Sequence, residues 1–359
     1  MDASILIPIP DTIPVAWGWF QFLLMLTFVM HLLVMNAMLG SAVIALATHF
    51  RHPEGSPGLC RFTAHKLTYL IAFAVNLGVA PLLFLQVLYG QFLYTSSVLM
   101  AWHWLAVVGL LILAYSSAYI YHLKYKALGM GRVRVLWLVV IPLLVIAFIF
   151  TNNMTLMLNP RAWLHYFDQP GGTLLNLADP VLAPRFLHML TGSVAIGGLF
   201  IALANHCQRQ EEGPSNAQRV EAGLSWFCFA TLVQIGIGVW FLVTLPSPIR
   251  TLFLGASALH TGLLALGIAC GLAAVGFGFA RKLLPAVIGA VATVTFMALV
   301  RDLVRRAYLA PYFAPGDLSL APQPQYGLLT LFLVLLVGTM ACVAYMLRLS
   351  ARAGKEVRP

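Results

Sequence analysis

The sequence predicts an all-α, polytopic transmembrane helical bundle of about nine spans. Three observations carry this. Hydrophobic residues make up 61% of the 359 residues and charged residues only 9%, against about 25% charged in a soluble domain. The apolar residues fall in runs of about 20 or more, long enough to cross a bilayer as helices. Spans of this length must satisfy their own backbone in lipid, which helices do within a single segment.

The runs lie near 16–47, 66–93, 97–121, 134–156, 184–205, 220–245, 252–280, 283–306 and 325–348. They form one integral membrane domain over 1–359. Its expected parts are a first four-helix bundle (16–156), a second (184–306) and a last span (325–348). Two connecting segments look ordered but non-spanning. The first, 157–183, carries Trp163, His165, Tyr166, Asp168 and a Gly-Gly turn; the second, 307–324, is rich in Pro, Tyr and Phe. No strong internal repeat and no low-complexity region stand out.

Basic residues set the orientation. Of the 21 Lys and Arg, 15 fall in loops opposite the N-terminus or in the C-terminal tail, including Arg51, Lys124, Arg209, Arg281 and Arg358. The remaining six are Arg161, Arg185, Arg250, Arg301, Arg305 and Arg306. The positive-inside rule then puts the N-terminus outside and the C-terminus inside, as an odd number of spans requires. The net charge of +10 is therefore mostly a topology signal, and no nucleic-acid partner is expected. Asp2 and Asp11 precede the first run with no basic segment, so that run reads as a retained span rather than a secretory leader. The five cysteines include no C-x-x-C pair and no C-x-x-C-H. That excludes covalent c-type heme attachment and argues against zinc or iron–sulfur ligation.

Ionisable residues inside a span are costly and mark function by default. Apart from Glu221 at the very edge of a run, Asp302 is the one acid that falls inside an apolar run, with four of the ten histidines: His31, His103, His188 and His260. At about 1.5 Å per residue, all five sit in the outer half although they come from five helices. Histidines facing each other across a bundle core are the usual ligands of b-type heme. Heme propionates are anions, and Arg161, Arg185, Arg250, Arg305 and Arg306 sit on the matching side. Plainer readings stand beside these. His103 could be a hydrogen-bonding strut. Asp302 is spaced to pair with Arg305 or Arg306 one turn away. Trp17, Trp19, Trp102 and Trp104 fit an outer aromatic belt.

Several stretches together resemble subunit I of the cytochrome bd oxidases. The first span, WFQFLLMLTFVMHLLVMNAMLG, is similar to that family's opening helix, with Gln21-Phe22, His31 and Gly40 at the matching positions. NLGVAPLLFLQVLYGQF resembles its second helix, and TNNMTLMLNP its fourth-helix exit. PRFLHMLTGS resembles the segment whose histidine, here His188, ligates low-spin heme b. HTGLL stands where the family has a methionine ligand, which puts His260 there and implies a bis-histidine heme. RDLVRRAYLAP resembles the segment whose acid ligates a high-spin heme, with Asp302 as the acid, Arg305 as its arginine and Tyr308 in place of a tryptophan. The order of the motifs spans nearly the whole chain.

The resemblance implies a heme-binding subunit of a respiratory, cytochrome bd-like oxidase in the bacterial inner membrane. His188 and His260 would hold a low-spin heme b. His31 and Asp302, with His103 nearby, would serve high-spin hemes of b or d type where oxygen is reduced; His31, His188, His260 and Asp302 would be the iron ligands. Arg161, Arg185, Arg250 and Arg305 would bind the cofactors. Implied partners are the lipid bilayer, a second membrane subunit and an outer-side donor such as a periplasmic c-type cytochrome, with quinone as a further candidate. Two departures weigh against a simple transfer. The loop between spans six and seven is only about LPSPIR, where quinol oxidases carry a long quinol-binding loop. Span three lacks the family's buried glutamates, leaving His103 as relay, ligand or strut. A non-oxidase electron conduit between quinone and a periplasmic redox partner therefore stays open. So does a transporter, although no broken helix or inverted repeat supports it.

Overall fold

A computed structural model describes residues 3–51, 57–207 and 214–356. Among them are nine helices long and apolar enough to cross a membrane. In chain order the α-helices are α1 (Trp17–Arg51), α2 (Pro57–Leu99), α3 (Ala101–Leu123), α4 (Gly131–Leu158), α5 (Leu182–Cys207), α6 (Pro214–Thr244), the single-turn α7 (Ser247–Thr251), α8 (Ala258–Phe279), α9 (Leu283–Leu309) and α10 (Tyr326–Glu356). Several overrun the apolar runs. α2 begins nine residues before the run at 66–93, because a helix continues past the apolar stretch for as long as no breaker stops it. The run expected at 252–280 is shortened instead. Its first five residues form a wide turn in which Gly255 has φ of +117°, a conformation open to glycine.

Helices α1 and α3 each pack against α2 and α4, so α1 and α3 stand diagonally across a four-helix bundle. Helices α5 and α8 likewise stand diagonally between α6 and α9. The two sets join along α1 and α5. Helix α10 lies at the periphery, with most of its described side chains exposed and Phe332 against Phe84 of α2. The end of the bundle where α1 begins is here the N-terminal face. It is roofed by a 3-10 helix at Pro160–Phe167 and by a parallel bridge between Ile13 and Leu320. Trp163 is buried beneath that roof, its indole N–H donating to the Leu156 carbonyl at 2.9 Å.

The expectation of no strong internal repeat is overturned. The pattern H-x-L-x6-G-x3-I-A-L-A-x-H occurs at 31–49 and again at 188–206. A second pattern, apolar-x-apolar-Gly-Val, occurs at 75–79 of α2 and 235–239 of α6. Helices α3 and α8 match at the same offset as α1 and α5, each starting two residues before a histidine. Their buried positions also correspond: Ala114, Ser117, Ala118 and Tyr121 in α3, Gly271, Ala274, Val275 and Gly278 in α8. The repeat escapes a composition scan because apolar residues interchange freely in lipid-facing and core positions.

The contact between the halves is made by equivalent residues. Gly40 of α1 meets Gly197 of α5, and a Cβ on Gly40 would fall on the Ser193 carbonyl oxygen and 3.0 Å from the Gly197 Cα. Conversely, a Cβ on Gly197 would come within 2.6 Å of the Gly40 Cα. The Ser193 hydroxyl donates to Asn36 Oδ1 at 2.8 Å, and these two residues are again repeat mates. Like residues touching like is the signature of an isologous, two-fold contact. Small residues let membrane helices approach this closely. Gly40→Ala is therefore expected to destabilise the protein by about 1–3 kcal/mol, read as a lowered thermal midpoint in detergent. Gly236→Ala, which has nothing within 4 Å of its added carbon, serves as the unperturbed control.

Candidate heme-binding core

His31 of α1 donates from Nδ1 to the Ala74 carbonyl of α2 at 3.0 Å. A carbonyl only accepts, so Nδ1 carries the proton and Nε2 keeps its lone pair. The ring lies against Gly78, whose added Cβ would come 2.9 Å from His31 Cε1. His188 of α5 repeats this construction. Its Nδ1 donates to the Gln234 carbonyl of α6 at 3.2 Å, and a Cβ on Gly238 would come 3.2 Å from its Cε1. In both cases the carbonyl and the glycine are four residues apart, one helical turn on the same face. Both side chains are thus held in one tautomer with the second nitrogen available, the arrangement that metal-ligating histidines use.

His260 sits in the first turn of α8. Its Nδ1 is 2.7 Å from the hydroxyl of Ser257, which can accept from it, and its ring packs edge-on to Phe253 at 5.1 Å. His103 occupies the same place in α3. There Met100 stands where α8 has Ser257, and His103 Nδ1 is buried with no hydrogen-bond partner. A strut needs a partner, and among the described residues none bonds this ring. No group of three or more His, Cys, Asp or Glu comes together among the described residues. A bare metal ion would need such a set, whereas a heme iron already holds four macrocycle nitrogens and needs one or two side chains. The paired, tautomer-locked histidines fit that demand.

Asp302 is buried at 4% exposure, as is Arg305. Its Oδ2 accepts from Gln21 Nε2 at 3.0 Å and from Arg306 Nε at 2.9 Å, and Arg305 Nη1 is 3.4 Å from Oδ1. The spacing-based reading, an ion pair one turn along the helix, is what the structure contains. Gln21 completes it from the first turns of α1. Its role at the carboxylate was not readable from sequence, because the two residues are 281 positions apart.

Arg185, Arg301 and Arg305 line one small cavity with Met154, Met157 and Leu158. Arg301 stacks 4.4 Å over Phe28, Arg305 5.0 Å over Tyr89, and Arg306 5.6 Å over Trp17. Among the described residues Asp302 is the one carboxylate that pairs within this arginine group. Buried positive charge in excess of its partners calls for an anion. Arg161 is placed apart, on a cavity of about 500 Å³ at the N-terminal face shared with His165, Asp179 and Tyr308. Arg250 is tied back to the Val243 carbonyl at 2.8 Å and closes its own turn. Arg301 joins the cluster, although from sequence it read as an orientation signal and a snorkelling interface anchor rather than a cofactor-binding residue. Of the four tryptophans expected in the aromatic belt, Trp19 and Trp102 are exposed as a belt requires, while Trp104 packs on Phe150.

Asp302→Asn keeps the shape and removes the charge that offsets Arg305. It is expected to cost about 3–5 kcal/mol, measured by denaturation of the detergent-solubilised protein. Arg305→Met in the same chain is expected to recover part of that loss, since it removes the stranded charge.

No protein-family model matches the chain, and no curated protein matches it in sequence. A chain of the bd oxidase from Geobacillus thermodenitrificans superposes with a TM-score of 0.70 at 11% identity, over 98% of this chain and 99% of that one. The resemblance drawn from the motifs thus holds at the level of fold, and this chain has the fold of a bd oxidase chain over 98% of its length.

Proposed function

We propose that this chain is the heme-carrying, electron-transfer subunit of a respiratory membrane complex of bd-oxidase type. The observation that carries the reading is His188. It is locked on the Gln234 carbonyl and stands against a glycine, on a helix that lies diagonally across the bundle from α8, which carries His260. In this reading the two histidines hold a low-spin heme b. Such a heme, when bound, passes single electrons through its iron. The chain's own part is to fix both imidazoles, leave a flat space beside small residues, and exclude water with apolar helices. Arg185, Arg301 and Arg305 neutralise the propionates.

The nine apolar helices support a multi-pass membrane protein, and in this reading the membrane is the bacterial inner membrane, with the N-terminal face outside by the bias of its basic residues. Electrons would enter there from a periplasmic c-type cytochrome or similar donor, and a second membrane subunit would complete the complex. Oxygen reduction needs an iron with an open position, which the oxidase reading locates at His31 and Asp302. One observation favours the alternative, a conduit that hands electrons to another redox partner. Asp302 already pairs its charge with two arginines and accepts from Gln21 through Oδ2, although its Oδ1 is buried without a hydrogen bond. The transporter reading explains neither the locked histidines nor their repetition.

A reduced-minus-oxidised spectrum of the purified complex tests the proposal. A b-type signal is expected, and His188→Ala or His260→Ala should each abolish one heme's share of it. Protein without any heme signal would defeat the reading. Carbon monoxide separates the two versions: a shifted component marks an oxidase-type centre, and no response marks the conduit.

A further inference from the structure

We infer that the first half of the chain holds a heme of its own between His31 of α1 and His103 of α3, the repeat mates of His188 and His260. The inference rests on the heme-carrying reading just given and assigns His103 a ligand's part. Three observations carry it.

The first is level. His49 Nε2 and the Tyr121 hydroxyl are 3.0 Å apart, which ties α1 to α3 at the end away from the N-terminal face. His31 lies eighteen residues before His49, and His103 eighteen residues before Tyr121. Both helices run the same way, so each histidine stands about 27 Å up from the common tie. Helix α2 permits this although it runs on to Leu99. It breaks at Tyr89 (φ −139°, ψ 30°), and α3 then begins at Ala101.

The second is direction. His103, Val107, Leu110, Ala114 and Ser117 follow a three-and-four spacing, which keeps them on one face of α3. Ala114 and Ser117 are buried, Val107 and Leu110 pack against the core, and His103 Nδ1 is enclosed. The ring therefore belongs to the face turned into the bundle, where α1 stands diagonally opposite.

The third is need. His31 Nε2 has its lone pair available, as its tautomer requires. His103 carries a buried nitrogen without a partner, which is unfavourable unless something takes it up. A flat, iron-bearing macrocycle between the two rings answers both. It also leaves Asp302 to its arginines, and the chain becomes a carrier of two bis-histidine hemes, one per half.

The test uses the purified membrane complex. Heme is quantified per chain as the pyridine adduct, and the ferric protein is examined by electron paramagnetic resonance with and without carbon monoxide on reduction. Two low-spin hemes in this chain and no carbon monoxide response are expected. His103→Ala should convert about one heme per chain to a high-spin, carbon monoxide-reactive form and leave the His188 heme unchanged. His103→Met offers a second ligand of similar reach; it should keep that heme low-spin and raise its midpoint potential, as a thioether ligand does. If the wild-type complex binds carbon monoxide at the His31 heme, or if both His103 variants leave the spectra untouched, the pairing is wrong while the His188 heme stands. If no variant matters because no heme is present, the broader reading falls with it.

Discussion

The architecture turns on the contact between α1 and α5, where Gly40 and Gly197 bring two backbones together with nothing between them. Neither helix could approach so closely with a side chain at that point, because the added carbon would occupy the partner's backbone. In lipid, association rests on packing and hydrogen bonds rather than on escape from water. A gap of one methyl group would therefore forfeit most of the attraction along this seam. The Asn36–Ser193 hydrogen bond lies one turn away and fixes the register. Since the contacting residues are repeat mates, the two halves meet about a local two-fold axis, and whatever one half positions the other positions in parallel.

That arrangement explains why the histidines come in pairs at matching depth. His31 and His188 each lie nine residues before their seam glycine, so the seam sets their height as well as the spacing between halves. The neighbouring helices repeat the rest of the device, a backbone carbonyl for Nδ1 and, one turn on, a glycine that makes room for the ring. Substituting either glycine would push the imidazole off its carbonyl and release the tautomer. The same residue types serve packing in one place and ligand orientation in another, which is why composition alone does not separate them.

Much of this was legible in the sequence. Apolar runs gave the nine spans, and the order of the motifs gave the fold that the structural likeness shows. The spacing Asp302–Arg305–Arg306 gave the ion pair that the structure contains. Three things were not legible. Gln21 reaches Asp302 from the far end of the chain, a contact that no local pattern encodes. The break in α2 at Tyr89 comes eight residues after Pro81 rather than at it, so proline position did not mark it. The repeat was hidden because its helix pairs sit at slightly different offsets, α1 and α5 at one and α2 and α6 at another. Only the superposed roles of His31 and His188 make both offsets visible together.

The halves are alike where they touch and unlike at the N-terminal face. Helix α1 begins about two turns earlier relative to its histidine than α5 does, and α2 outlasts α6. Those extra turns bring Trp17, Gln21 and Tyr89 over the arginines of α9, which belongs to the other half. A strictly symmetric protein would carry this polar cluster twice; here α4 has Thr151, Asn152 and Asn153 near its matching end, neutral groups that bond to Ala147, Asn176 and Ser97 instead. Charge is thus concentrated on one side of an otherwise repeated frame. On the proposed two-heme reading, a heme beside the arginine cluster would sit in a more positive field than one beside the asparagines, and positive charge favours the reduced iron. Two like ligand sets in unlike fields would then give electrons a direction, which a symmetric pair would not.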